Sequence, residues 1–389
     1  MGAGAHERKG APAFRLGRAV SHQQALGKAA GKTADLPIGW RFPLLVLGML
    51  SLLVGVLAGL LRAGWNLPAV PPAWPGLHAP LMIGAFFGTV IGLERAVALG
   101  RGWAYFSPLA AGLGGILLAA GAPPLPALLL MAGGALVLTL TTLRAAERQP
   151  SLHAHILALA AALAVSAPLA WLAALPGAAI AGWMGFLVLT IAGERLELSR
   201  FMPPSPRART LFLVIVGAIL LAVLSSWLSE AGLRFLGATL AALAVWLLRQ
   251  DVARRTVRQS GLTRFIAVCL LSGYAWLLLG GVLLAWQPAS GFVMDAALHA
   301  IFVGFVLAMV FGHAPIIFPA VVRVALPYHA GFYLPLLVLH LSLLLRVSGG
   351  LGGLAEWRAL GAAGNALALA LFIVTMLVTA LRGKKPAPG

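Results

Sequence analysis

The chain has 389 residues, of which 61% are hydrophobic and only 10% are charged. Soluble proteins carry about a quarter of their residues as charged side chains, so this composition excludes an ordinary soluble fold and indicates a polytopic membrane protein. The formal net charge of +18 would suggest nucleic acid as a partner of a soluble protein. In a membrane protein, Lys and Arg concentrate in cytoplasmic loops, so we expect a lipid bilayer, and no nucleic acid, as the partner.

Twelve segments are apolar and long enough to cross a membrane, for which about 20 residues are needed. They are predicted at 42–62, 78–99, 103–121, 124–143, 152–175, 177–194, 208–228, 232–248, 264–286, 292–318, 329–346 and 360–381. The sequence therefore predicts an all-α fold with a single integral membrane domain over 42–381. Residues 1–41 are basic and lack the apolar core of a signal peptide. We expect them to form a mobile cytoplasmic tail, and residues 382–389 a second cytoplasmic tail.

Basic residues alternate between the two sides of the predicted bundle. The amino-terminal tail and the loops after spans 2, 4, 6 and 8 are rich in arginine. The opposite side has only four basic residues, which are Arg62, Arg234, Arg346 and Arg358. Because Lys and Arg mark cytoplasmic loops, both termini are predicted to be cytoplasmic. The predicted localisation is the cell inner membrane, crossed many times.

Three of the twelve spans share a pattern of two glycines eight residues apart, followed by a charged or ionisable side chain. The glycine pairs are Gly84 and Gly92 on span 2, Gly185 and Gly193 on span 6, and Gly304 and Gly312 on span 10. Glycine makes up 46 residues of the chain and small residues line helix contacts generally, so chance pairs are expected. The placement on every fourth span nevertheless favours three four-helix repeats related by rotation about the membrane normal.

Two histidines occupy nearly equivalent positions in the first and third repeats. His78 and His299 lie six and five residues before the first glycine of their repeats, and the second repeat has Ala179-Ile180 there. An ionisable residue within a span is costly and suggests function, and imidazole is a common axial ligand of haem. The pair therefore predicts a haem b held between spans 2 and 10. The alternative is that each histidine is a packed residue bonded to a neighbouring helix.

A second metal site is a further hypothesis. His313 lies fourteen residues past His299, which is roughly 21 Å along a helix, so the two cannot share one small cofactor. His340 lies in the middle of span 11 and, together with His313, is a candidate ligand pair for copper.

The charged pairs that follow two of the glycine repeats have two interpretations. Glu94-Arg95 and Glu194-Arg195 lie at predicted cytoplasmic helix ends, where arginine suits the helix dipole and glutamate can hold a neighbouring helix. The functional interpretation makes them partners for a proton or for a haem propionate.

The layout resembles a known group. Twelve spans in three arcs of four, with histidine on spans 2 and 10, resemble haem-copper oxidase subunit I and its relatives, whose low-spin haem is held by histidines on those spans. Within that group, His299-Ala300 through Gly312-His313-Ala314 is similar to the carboxy-terminal signature of NnrS-type membrane proteins. Those are described as haem- and copper-containing proteins tied to nitric oxide stress and denitrification. The resemblance in layout covers nearly the whole chain, and it implies one haem b used in nitric oxide response or electron transfer, with an electron-transfer partner.

The chain also departs from that group. Oxidase subunit I needs a histidine on span 6 and a pair in the next segment for its copper, and this chain has no histidine between His155 and His299. The resemblance therefore does not imply an oxygen-reducing centre, and whether the protein is an enzyme is left open. The alternative function is a twelve-span secondary transporter of a small solute. Gly92-Leu93-Glu94-Arg95 loosely resembles the charged 2–3 loop of major facilitator carriers, although that fold repeats in units of six spans.

Overall fold

The structure is a computed structural model that describes residues 35–68, 70–199, 204–286 and 291–383. Most of the two predicted tails therefore lies outside the described residues. Within the described ranges the fold is all-helical, and twelve helices are long and apolar enough to cross a membrane. In chain order, spans 1 to 12 are Ile38–Arg62, Trp74–Leu99, Gly102–Ala119, Pro124–Arg148, Leu152–Leu172, Pro176–Leu198, Pro206–Ser225, Ala231–Gln250, Gly261–Trp286, Phe292–Val322, Ala330–Leu351 and Ala355–Arg382. The twelve predicted spans are confirmed, with ends that differ by a few residues.

Local sequence explains where several spans begin and end. Spans 4, 6 and 7 begin with Pro124, Pro176 and Pro206, at the first helical position, where the missing N–H of proline costs no hydrogen bond. Span 2 ends before Gly100, which adopts φ of +65°, a left-handed conformation that glycine reaches without strain.

Spans 2, 6 and 10 contact one another, and we call them the central spans. Span 6 is the most buried of the twelve. Its Trp183 packs on Gly84 of span 2, where an added Cβ would lie 3.4 Å from the indole ring, and span 6 also packs against span 10. The first and last spans also meet, since Trp65, just after span 1, donates a 2.9 Å hydrogen bond to the Ala359 carbonyl of span 12. The glycine pairs on every fourth span thus identify the three helices that contact one another.

Two of the three central spans contain a segment of π-helix. The segments are Pro80–Phe87 on span 2 and Ala300–Leu307 on span 10, and each begins four residues before the first glycine of its repeat. Span 6 is α-helical from Pro176 to Leu198. Because π-helix is rare and often occurs at functional sites, the segments single out spans 2 and 10. We call the end of the bundle near His78 and His299 the outer end and the opposite end the inner end, following the predicted orientation.

Candidate functional site

The structure brings His78 and His299 together at the outer end of spans 2 and 10. Their imidazole centroids lie 6.1 Å apart, and the ring planes are inclined by only 21°. Each histidine immediately precedes, or lies two residues before, the π-helical segment of its span. The two rings therefore lie next to each other at the contact between spans 2 and 10.

Both imidazoles use the same nitrogen to bond to the backbone. The Nδ1 of His78 lies 2.8 Å from the Gly55 carbonyl oxygen, and the Nδ1 of His299 lies 2.7 Å from the Asp295 carbonyl oxygen. A carbonyl oxygen only accepts, so Nδ1 carries the proton in each ring. Among the described residues, neither Nε2 has a hydrogen-bond partner. Each ring thus presents an uncommitted lone pair, which is the state that a metal-ligating imidazole needs.

An ion pair between Asp295 and Arg346 lies next to His299. The Arg346 guanidinium of span 11 donates to both carboxylate oxygens of Asp295, over 2.9 Å and 2.8 Å. An Asp295 oxygen lies 3.4 Å from the His299 Nδ1. Because the bidentate pair fixes the carboxylate, it also restricts how the His299 ring can turn.

Two glycines of span 1 let span 2 approach closely, Gly59 at the His78 ring and Gly55 at Met82. A Cβ added to Gly59 would lie 2.7 Å from the His78 Cε1, and one added to Gly55 would lie 2.9 Å from the Met82 Sδ. Small residues four apart let helices approach closely in a membrane. Span 1 can therefore pass directly behind His78 and offer it a backbone carbonyl.

Three of the four arginines predicted on the outer side gather around this site. The charges of Arg346 and Arg62 act on His78, and that of Arg358 acts on Asp295. Arg358 donates to the Ala63 carbonyl oxygen over 3.3 Å, while its buried Nε has no partner among the described residues. The outer end is therefore electropositive and suits an anionic group.

The other two candidate histidines have separate environments. Trp276 Nε1 donates a 3.0 Å hydrogen bond to the His340 Nδ1, so the His340 Nε2 carries the proton and donates to Ser272 over 2.9 Å. Neither nitrogen of His340 keeps a lone pair for copper. The Nδ1 of His313 lies 2.8 Å from the Met309 carbonyl oxygen, and its buried Nε2 has no partner among the described residues.

The Glu-Arg pairs lie at the inner end, where they join the central spans. Arg95 of span 2 forms a short ion pair with Glu194 of span 6 and lies 3.8 Å from Glu94. Glu94 is sixteen residues past His78, which places it roughly 24 Å away along the helix. A group held at the outer site cannot bridge that length, so these residues are not partners of a haem propionate there.

Arg195 makes the most buried ion pair described. Its guanidinium donates to both oxygens of Asp251, over 2.8 Å and 3.1 Å, and the two side chains are 5% and 1% exposed. Tyr274 and the Ala253 N–H also donate to this carboxylate, over 2.6 Å and 2.7 Å. Burial raises the pKa of Asp251, but the Arg195 charge and these hydrogen bonds outweigh it and hold the pKa below the usual 3.8. The pair ties span 6 to the loop between spans 8 and 9.

Comparison with known families places the whole membrane domain in one group. A family model described as a domain of unknown function, DUF8744, matches residues 41–381. The chain belongs to the DUF8744 family. No curated protein matches the chain.

In this DUF8744 member, sequence reasoning found the two facing histidines but missed the groups that position them. Gly55 and Gly59 carry a signal, since they form a Gly-x-x-x-Gly pattern on span 1. Asp295 precedes His299 by four residues, which puts both on one helix face. The partner of Asp295, Arg346, is 51 residues further along the chain and had no such local signal.

Proposed function

We propose that this protein is a membrane haem protein in which His78 and His299 hold one haem b between spans 2 and 10. The observation that carries the proposal is the pair of facing imidazoles, 6.1 Å apart and nearly parallel. We propose electron transfer, or a response to nitric oxide of the NnrS type, as the role of this haem, and the inner membrane as its location. Labelling of an Ala122→Cys variant with an impermeant reagent tests the orientation, since this loop is predicted to react only from outside.

The residues at the outer end fit such a group in three respects. An imidazole nitrogen binds a transition metal at about 2 Å, so the 6.1 Å between the two ring centroids would leave room for one metal ion between the rings. Each Nδ1 donates to a carbonyl oxygen, which fixes the ring and leaves Nε2 as the ligand atom. The surrounding arginine charges suit the carboxylates of a haem.

A haem held by His78 and His299 would supply a one-electron couple, which suits electron transfer. The protein itself contributes orientation and electrostatics. Asp295, fixed by Arg346, holds the His299 ring and increases the basicity of its free nitrogen. The Gly55 carbonyl and the close contact with Gly59 hold His78 against span 1. The His78 ring therefore has little freedom to rotate.

Copper at His313 and His340 is not part of this proposal, because both nitrogens of His340 are engaged by Trp276 and Ser272.

A secondary transporter is less well supported than a haem protein. The central helices recur every four spans, whereas major facilitator carriers repeat in units of six. The arginines on the central spans at the inner end are also paired with carboxylates, Arg95 with Glu194 and Arg195 with Asp251.

The decisive experiment is an absorption spectrum of the purified full-length protein, produced with haem available. We expect a Soret band and sharp reduced α and β bands in the wild type, and loss of most of the haem in His78→Ala and in His299→Ala. His155→Ala is the matched control, because His155 is exposed and lies at the start of span 5. A folded wild type without these bands, or two single variants with wild-type spectra, would contradict the proposal and favour the transporter.

A further inference from the structure

A second site lies at the inner end, at the loop between spans 8 and 9. A cavity of about 670 Å³ opens there beside the start of span 7. Four arginines line it, together with Ser205 and Asp251. The arginines are Arg249, Arg254, Arg255 and Arg258, and all four are exposed.

The cavity carries an excess of positive charge. Asp251 contributes little negative potential, because its carboxylate is buried and bound on both oxygens by Arg195. Arg254 donates to the Arg249 carbonyl oxygen over 3.2 Å, a contact that leaves its charge uncompensated. Among the described residues, Arg249, Arg254 and Arg258 have no carboxylate within ion-pair distance. An anion is therefore the complementary ligand.

The scaffold that presents these arginines is rigid. Asp251 accepts a hydrogen bond from the Ala253 N–H, which begins the short helix Ala253–Thr256 between the two spans. The same carboxylate is fixed by Arg195 of span 6 and by Tyr274 of span 9. Because its base is tied to a central helix, the loop holds the guanidinium groups at one place with less loss of entropy on binding.

We propose that this cavity binds a phosphate-bearing anion, and that the phosphate of an anionic phospholipid headgroup is its source. A guanidinium fork matches phosphate oxygens in a bidentate manner, and the cavity lies where span 8 ends, on the side predicted to be cytoplasmic. Basic pockets between spans on the cytoplasmic side commonly bind anionic lipid headgroups. This site is independent of the haem at the outer end.

Other arginines at the inner end differ from this cluster. Arg144 on span 4 is exposed and forms a 3.0 Å ion pair with Glu147, and Arg148 donates to the Leu99 carbonyl oxygen. Arginines of this kind suit the general preference for positive charge in cytoplasmic loops. Substitution of Arg144 and Arg148 therefore removes the same charge outside the cavity and serves as a control.

The test is native mass spectrometry of the full-length protein in detergent, with phosphatidylglycerol and phosphatidylcholine added in equal amounts. We expect wild type to retain phosphatidylglycerol preferentially, and Arg254→Gln/Arg258→Gln to retain it about tenfold less. The control Arg144→Gln/Arg148→Gln removes the same charge and should retain it like wild type. A parallel arm measures thermal stabilisation by inorganic pyrophosphate.

Each outcome decides the proposal. Selective loss of phosphatidylglycerol in the cavity variant supports a lipid source. Stabilisation by pyrophosphate that the cavity variant loses, without lipid selectivity, supports the phosphate chemistry but overturns the lipid source. Equal losses in both double variants, or a wild type that shows neither lipid selectivity nor stabilisation by pyrophosphate, would overturn the site. Both variants change exposed side chains only, and their elution as folded protein on gel filtration is checked first.

Discussion

The two histidines at the outer end and the two arginines at the inner end of the central helices differ in whether their polar atoms have partners. At the outer end, His78 and His299 each keep one ring nitrogen without a partner among the described residues. At the inner end, Arg95 and Arg195 are paired with Glu194 and Asp251. Burial of a polar group costs free energy unless the group is bonded. The difference indicates that the inner groups stabilise the bundle, while the outer imidazoles are available to a ligand.

The largest effect is expected from breaking the inner network at Arg195. In Arg195→Ala the buried Asp251 loses its cation, and removal of one partner of a buried pair costs about 3–5 kcal/mol. Thermal unfolding in detergent should show a large fall in Tm. Arg144→Ala is the control, since its ion pair with Glu147 is exposed and should cost less than about 1 kcal/mol. Equal falls in the two variants would refute a special role for the inner pair.

A smaller effect is expected at the outer end from Asp295→Asn, which keeps the shape of the side chain but removes its charge. Loss of a group that orients a metal-bound histidine weakens cofactor binding by about 10- to 100-fold. We expect lower haem occupancy and a raised reduction potential, measured by redox titration. An unchanged potential and full occupancy would show that Asp295 serves only to hold Arg346.

Gly59→Ala tests whether span 1 positions the His78 ring. The added methyl group would lie 2.7 Å from the ring, so the imidazole must shift, and we expect partial loss of haem or an altered spectrum. Gly133→Ala is the matched control, because nothing lies within 4 Å of its new Cβ. If both variants keep the wild-type spectrum, the close contact has no bearing on ligation.

The smallest effect is a dependence of stability on pH in the acid range. The pKa of folded Asp251 is held below the usual 3.8 by Arg195 and its other donors, so the charged carboxylate stabilises the fold above that pH. The stability is lost as the pH falls from about 4 toward the folded pKa. The difference in Tm between wild type and Asp251→Asn should therefore be constant from pH 6 to about pH 5 and shrink below about pH 4. A difference that did not shrink would mean that the charge of Asp251 is not what stabilises the loop.

Much of the fold could be predicted from sequence because it depends on local composition. Apolar runs of about 20 residues identify spans, and all twelve were found within a few residues of their ends. The ends themselves vary because they depend on caps and on contacts with neighbouring helices. The repeated glycines also identified spans 2, 6 and 10, which the structure places in contact with one another.

The candidate site could be predicted only in part. His78 and His299 stood out because ionisable residues are rare within spans, but their 6.1 Å separation depends on how two repeats pack. The same holds for the pairing of Arg195 with Asp251 and for the bond of His340 to Trp276, which join residues 56 and 64 positions apart. For His340 the sequence suggested a metal ligand, whereas its neighbours engage both nitrogens.

The sequence by itself determined that the protein is a bundle of twelve membrane spans with three distinctive helices, because hydropathy and glycine spacing are properties of short segments. Only the tertiary structure decided which polar groups are paired and which are left available. It also decided that spans 2 and 10, but not span 6, contain π-helix. The physical reason is that hydrogen bonds inside a bundle are chosen by neighbours from distant parts of the chain, since buried polar groups must find partners wherever packing places them.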